Sequence, residues 1–185
     1  MMTKTFQWGL AGYGDLSEKR LAPALRDSSK STLIGVWARQ FARTKDFAER
    51  HQVSGAYEKL DELLDSGIDA LYICTPTASH FEYAMAALRR GIHVIIDKPM
   101  AAGAEECAQL VKAAEDNKVK LGVAFYLRFH PKMRKVKQLI DEGALGTITW
   151  VNIACHGWYN PGEDDPKFWR VCKNTSGGGG ALSDI

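Results

Sequence analysis

Near the N-terminus the chain reads Gly9-Leu10-Ala11-Gly12-Tyr13-Gly14-Asp15-Leu16-Ser17. The segment matches the G-x-G-x-x-G dinucleotide fingerprint with serine in the third place. Gly12 permits a tight turn, Gly14 lets the backbone approach a pyrophosphate, and a small residue such as Ser17 lets helix and strand pack closely. Tyr13, Asp15 and Leu16 alternate with these residues, and the opening turn of the following helix directs N–H groups and a positive dipole end at the phosphates. An ordinary tight turn is the competing reading. The position of the motif, at the first strand-to-helix junction, favours cofactor binding.

A second chemical signal is an absence. NAD sites place a carboxylate at the end of the second strand, where it accepts hydrogen bonds from the adenosine ribose. Here that strand runs into Ala38-Arg39-Gln40, with Arg43 and Lys45 beyond, and the first acid is Asp46. A guanidinium pairs in two-point geometry with a 2′-phosphate and stacks on adenine, whereas a carboxylate there repels the phosphate. Arg39, beside Ala38, therefore points to NADP, with NAD as the alternative cofactor. The plainer reading makes Arg39 a loop cation.

These residues need a scaffold, and the sequence supplies its pattern. Short apolar runs at 7–11, 32–37, 70–74, 93–96 and 121–125 alternate with stretches of helical spacing, and a weaker run lies at 55–57. Such alternation predicts parallel strands with crossover helices. Phe41, Phe47 and Ala48, then Leu60, Leu63 and Leu64, then Tyr83, Ala84, Ala87 and Leu88 would cover the sheet. Gly91 follows Arg89 and Arg90 and reads as a helix stop. The predicted fold class is α/β, a doubly wound Rossmann sheet. Beyond residue 125 the spacing predicts one more helix over 131–141 and a strand over 147–156, then an aromatic loop with Trp158, Tyr159, Phe168 and Trp169.

Composition excludes several other classes. The chain is 45% hydrophobic and 25% charged with net charge +2, and its cations are interspersed with acids, so neither disorder nor a nucleic-acid surface is indicated. No apolar run approaches a membrane span, no secretory leader is evident, and the expected location is the cytoplasm. Cys74, Cys107, Cys155 and Cys172 are scattered without a C-x-x-C pair, which suits reduced thiols better than a metal site or disulfide frame.

Two further segments make the assignment specific. Thr75-Pro76-Thr77-Ala78-Ser79-His80 and Gly91-Ile92-His93-Val94-Ile95-Ile96-Asp97-Lys98-Pro99 resemble the T-P-x-x-x-H and G-K-H-V-x-x-E-K-P signatures of the glucose-fructose oxidoreductase, inositol dehydrogenase and MocA (Gfo/Idh/MocA) family. The resemblance extends through 126–131, Gly143 to Gly146, Trp169-Arg170 and Gly178 to Asp184. It implies that Lys98 is the active-site lysine, with Asp97 in place of the usual glutamate. It also implies that Thr75, Pro76 and Thr77 pass beside the nicotinamide ribose, and that Arg128, Trp169 and Arg170 lie near cofactor and substrate. His80 is read equally as a pocket residue and as a plain helix start. Asp184 matches an aspartate that the family follows, one helical turn later, with a histidine on the same face. That position falls beyond Ile185, so the chain is expected to be the N-terminal portion of a longer enzyme.

The resemblance thus divides the chain into a dinucleotide-binding domain over 1–125 and the start of an α+β substrate domain with an open sheet over 126–185. It implies hydride transfer between the cofactor and a sugar, polyol or related carbonyl compound, and a homo-oligomeric parent enzyme. A dinucleotide-binding module without catalysis is the competing function. Lys98 speaks against it, because a pure sensor has no use for a lysine at that strand end.

Overall fold

The computed structural model describes residues 5–154, 156–158, 160–165 and 168–172, with Trp169 described in its backbone alone. Strands β1 (Phe6–Ala11), β2 (Ser31–Trp37), β3 (Gly55–Tyr57), β4 (Ala70–Ile73), β5 (His93–Ile96) and β6 (Leu121–Val123) form a six-stranded sheet in the order β3-β2-β1-β4-β5-β6. Every pairing is parallel. The helices are α1 (Ala22–Asp27), α2 (Phe41–His51), α3 (Leu60–Leu64), α4 (His80–Leu88), α5 (Ala104–Asp116) and α6 (Pro131–Asp141). This is the doubly wound α/β architecture that the alternation of apolar runs predicts.

The sheet is buried on both faces because alternate residues point to opposite sides. Leu10 and Val36 join Ala22, Phe47, Ala48 and Val53 under α1 and α2. Their neighbours Ala11 and Trp37 join Leu71, Ile73, Val94 and Ile96 on the other face, under Leu63, Leu64, Ala84, Ala87, Leu88, Leu110 and Ala114. Helix α2 ends not at a glycine but at Gln52, which takes the left-handed conformation with φ 57°.

Before α1 lies a wide turn, Ser17–Leu21, in which the Ala22 N–H reaches back five residues to the Ser17 carbonyl. Such turns recur at functional sites. This one is tied to α2 by charge. The Glu18 carboxylate accepts two hydrogen bonds from the Arg50 guanidinium and lies 2.6 Å from His51 Nε2, while Arg50 Nε also donates to Asp46 at 2.9 Å.

Of the described residues, those up to Ala124 and 169–172 fall in one compact unit, and those from Phe125 to Phe168 in the other. The second unit contains the turn Tyr126–Phe129 and α6, which opens with Pro131 in its first turn. The strand expected over 147–156 is not formed: its described residues carry no regular structure, and Trp150 and Ile153 are exposed. A strand needs a partner for its backbone groups, and among the described residues this segment has none.

Arg50 holds the Glu18 carboxyl down at about 2, against an ordinary 4.5, with His51 adding to the effect and burial opposing it. The pairing therefore stabilises the fold fully above pH 4.5 and fades as the pH falls towards about 2. In urea melts, wild type is expected to exceed Glu18→Gln in stability near neutrality, with the gap closing as acid is added. A gap that does not change with pH would remove the ionised carboxylate from the account.

Candidate functional site

Strand order reverses between β1 and β4, so the connections leaving their carboxyl ends run to opposite faces and part there. The glycine turn fills that edge. The Gly12 N–H donates to the Trp37 carbonyl at 2.8 Å, and the Cys74 N–H donates to the Ala11 carbonyl at 2.9 Å. Gly12 has φ +90°, and a Cβ there would stand 2.8 Å from Thr75 Cγ2 and 3.0 Å from the Cys74 carbonyl oxygen. At Gly14 an added Cβ would meet no protein atom within 4 Å, so the space before the backbone is open. Ser17 is fully buried, as close helix–strand packing requires, and its Oγ lies 2.8 Å from Cys74 Sγ. The Cys74 thiol lies 3.2 Å from the Gly12 carbonyl, and burial pushes its pKa up to about 12.

Above this edge lies a cleft of about 720 Å³. One side comes from the glycine turn and the β2 end: Gly12, Tyr13, Trp37, Ala38, Arg39, Gln40 and Arg43. Cys74, Thr75, Pro76, Ala78, Ser79, Glu82 and Tyr83 form the other. Trp37 is held edge-on against Tyr83, with ring centroids 5.1 Å apart, and its indole N–H donates to the Glu58 carbonyl at 3.1 Å. The Arg43 guanidinium lies over the Tyr13 ring at 5.5 Å and donates to Gln40 Oε1 at 3.3 Å. Two arginines thus line the β2 side without a carboxylate. The residues present fit a dinucleotide: a turn with no Cβ at Gly12, open space before Gly14, and two cations on the β2 side.

One strand further on, beyond β5, come Asp97 and Lys98, at the same carboxyl edge as Gly12 because β1, β4 and β5 are adjacent and parallel. Both are half-buried. Asp97 Oδ1 accepts from the Lys98 N–H at 2.9 Å, and the Asp97 N–H donates to the Ile73 carbonyl at 2.8 Å. Burial raises the Asp97 pKa, while Lys98, His80 and Arg170 act against the rise.

Of the residues predicted from sequence, Gly12, Tyr13, Ala38, Arg39, Thr75 and Pro76 line the cleft, and Gly14, Asp15 and Leu16 continue its glycine turn. Thr77 is buried behind the wall. His80 is 1% exposed, and its two ring nitrogens face backbone carbonyls, so its side chain stands beneath the wall. Arg128 belongs to the second unit, on the exposed Tyr126–Phe129 turn. Arg170 is exposed and near enough to Asp97 to act on its charge. Asp184 and the Trp169 side chain lie outside the described residues. Sequence reasoning noted Arg43 as a cation without giving it a site. Its signal was helical spacing, three residues after Gln40 on the first turn of α2. Ser79, Glu82 and Tyr83 gave no signal, since their place in the cleft depends on how α4 packs.

Residues 6–125 match the oxidoreductase family with the NAD-binding Rossmann fold, GFO_IDH_MocA, and residues 133–185 match a GFO/IDH/MocA C-terminal domain. The chain belongs to the Gfo/Idh/MocA oxidoreductase family. Among its relatives is Oxidoreductase P35 of Formosa agariphila, 33% identical over 96% of this chain and 56% of the relative. D-xylose 1-dehydrogenase (NADP(+)) 2 of Haloferax volcanii is 32% identical over 77% of this chain and 44% of the relative. The Y186F mutant of KijD10, a 3-ketoreductase from Actinomadura kijaniata solved with TDP-benzene and NADP, superposes with a TM-score of 0.80 at 28% identity, over 98% of this chain and 54% of that one. The chain therefore spans about half the length of these Gfo/Idh/MocA proteins. Among the described residues no helix is long and apolar enough to cross a membrane, and no cluster of His, Cys, Asp or Glu could hold a metal.

Two outcomes are expected from this geometry. Gly12→Ala places a side chain in a left-handed turn and against Thr75 and Cys74, at a cost of about 1–3 kcal/mol; a thermal melt unchanged from wild type would contradict the packing described. Cys74 should resist alkylation at neutral pH in the folded chain, because its thiol titrates far above that range. Mass spectrometry of peptides after iodoacetamide treatment reads this directly.

Proposed function

We propose that the region 1–125 binds NADP(H), and that 126–185 begins the substrate domain of an oxidoreductase acting on a sugar, polyol or related carbonyl compound. The observation that carries the cofactor choice is the β2 side of the cleft, where Arg39 and Arg43 stand and no acid does. Arg39 takes the 2′-phosphate in this reading. Arg43, steadied by Gln40 and lying over Tyr13, adds a second cation and a flat surface for adenine. Gly12 and Gly14, with the helix start at Asp15 and Leu16, receive the pyrophosphate. The wall of Thr75 and Pro76 guides the chain of the dinucleotide towards Lys98. Two relatives named for NADP, a xylose dehydrogenase and a ketoreductase, support the reading by analogy.

The nicotinamide, when bound, supplies or accepts the hydride. Lys98 hydrogen-bonds the reacting oxygen of the substrate and steadies or passes its proton. Asp97 holds the backbone of the Lys98 turn through its carboxylate. Arg128, Arg170 and Trp169 are assigned to the neighbourhood of cofactor and substrate, and Asp184 to acid–base work at the substrate carbon. The cytoplasm, where Cys74, Cys107 and Cys172 stay reduced thiols, is the proposed setting, and a homo-oligomer the proposed state of the parent enzyme.

Titration with NADPH should quench tryptophan fluorescence or raise the melting temperature of wild type. Charge-assisted hydrogen bonds contribute about 1.5–3 kcal/mol each, so Arg39→Ala should weaken NADPH about tenfold or more while leaving NADH within about twofold, and Arg43→Ala should weaken both, NADPH the more. Equal losses for the two dinucleotides would remove phosphate recognition from these arginines, and no response to either would remove the cofactor.

A further inference from the structure

His80 begins α4, yet its ring is among the least exposed polar groups, at 1%. Nδ1 lies 2.9 Å from the Pro99 carbonyl oxygen and Nε2 lies 2.7 Å from the Thr75 carbonyl oxygen. Carbonyl oxygens only accept, and a neutral imidazole carries one N–H. A singly protonated ring would therefore set a nitrogen lone pair against an oxygen lone pair, buried and without water to separate them. We infer that His80 is a positioning residue whose ring donates from both nitrogens, clamping the cleft wall at Thr75 to the turn that carries Lys98.

The two ends of the clamp are what the cleft needs held. Thr75 and Pro76 line the dinucleotide cleft, and their loop is braced further by Ser79, whose Oγ donates to Thr75 Oγ1 and to the Pro76 carbonyl, both at 2.8 Å. Pro99 directly follows Lys98. The ring thus fixes the separation of two strand-end loops that belong to neighbouring strands, β4 and β5. A doubly protonated ring is a buried cation and calls for a nearby anion. The Asp97 carboxyl stands on the same loop, two residues before Pro99; burial raises its pKa, and Lys98, His80 and Arg170 act against the rise. Packing alone does not account for the arrangement, since an apolar side chain would fill the space without facing carbonyls at both ends.

What the clamp positions rests on the NADP(H) reading above; the state of the ring does not. In the chain with nitrogen-labelled histidine, a long-range proton–nitrogen correlation spectrum near neutral pH should show both ring nitrogens of His80 protonated, the signal being assigned by its loss in His80→Gln. A bare ring nitrogen would overturn the inference. NADPH titrations follow, well below the melting temperature of each variant. His80→Leu should bind about tenfold more weakly than wild type and His80→Gln, which keeps a donor, should fall between them. Folded variants with wild-type affinity would reduce His80 to a packing residue. Wild type that binds neither NADPH nor NADH would sink the cofactor reading, while the ring spectrum still decides the clamp.

Discussion

The pairing of β1 with β4 is the constraint on which the rest of the molecule depends. Strands adjacent in space but separated in sequence by β2 and β3 leave their connections on opposite faces of the sheet. A gap opens at that edge whatever the side chains are. The side chains then determine what the gap can hold: glycine at the turn so that backbone rather than Cβ faces it, and arginines at the end of β2 so that it is positive there. Shape and charge of the cleft thus have separate sources. A substitution can change the charge at the cleft without touching the fold, and a change in the β1–β4 pairing would remove both.

Polar groups near the cleft divide by whether they face it or brace it. Arg39 and Arg43 face it, and their charge is available to a ligand. Ser17 meets Cys74 Sγ at 2.8 Å and the Gly12 carbonyl at 3.5 Å, Cys74 and Ser79 donate to the Gly12 and Pro76 carbonyls, and His80 lies against two carbonyls. The bracing groups are small or buried, and each meets a main-chain atom, which suits fixing the path of a loop. An elevated Asp97 pKa belongs to the same economy, since a half-buried carboxyl close to Lys98 is kept in place by a backbone N–H as well as by charge.

How far this was legible in the sequence depends on the range of the interaction. The strands were legible because burial on both faces produces short apolar runs, and even the weak run at 55–57 forms β3. The glycine turn was legible because Gly12 needs a conformation that few other residues take. The left-handed end of α2 at Gln52 was not, since no local signal marks a glutamine for that role. Arg43 and Tyr83 enter the cleft through the packing of α2 and α4, which no window of sequence encodes. For His80 the sequence left two readings open, and the burial that separates them comes from contacts nineteen residues apart. The strand expected over 147–156 had the right alternation, but alternation states only which side would be apolar. It does not supply the neighbour that a strand requires.

The two compact units differ in the same respect. In the first, the large apolar side chains of the sheet are covered by helices from both sides, and all the cleft residues lie within it. In the second, Met133, Val136 and Ile140 fall on one face of α6 and are about half exposed, and Trp158 is 91% exposed. The residues that line the cleft therefore stand on elements already fixed by their own core. Arg128, assigned to the neighbourhood of cofactor and substrate, belongs to the second unit. If the cofactor arginines act through the first unit alone, their effect on NADPH should not depend on what occupies the substrate side, because additivity holds for groups that share no partner and sit on separately packed elements.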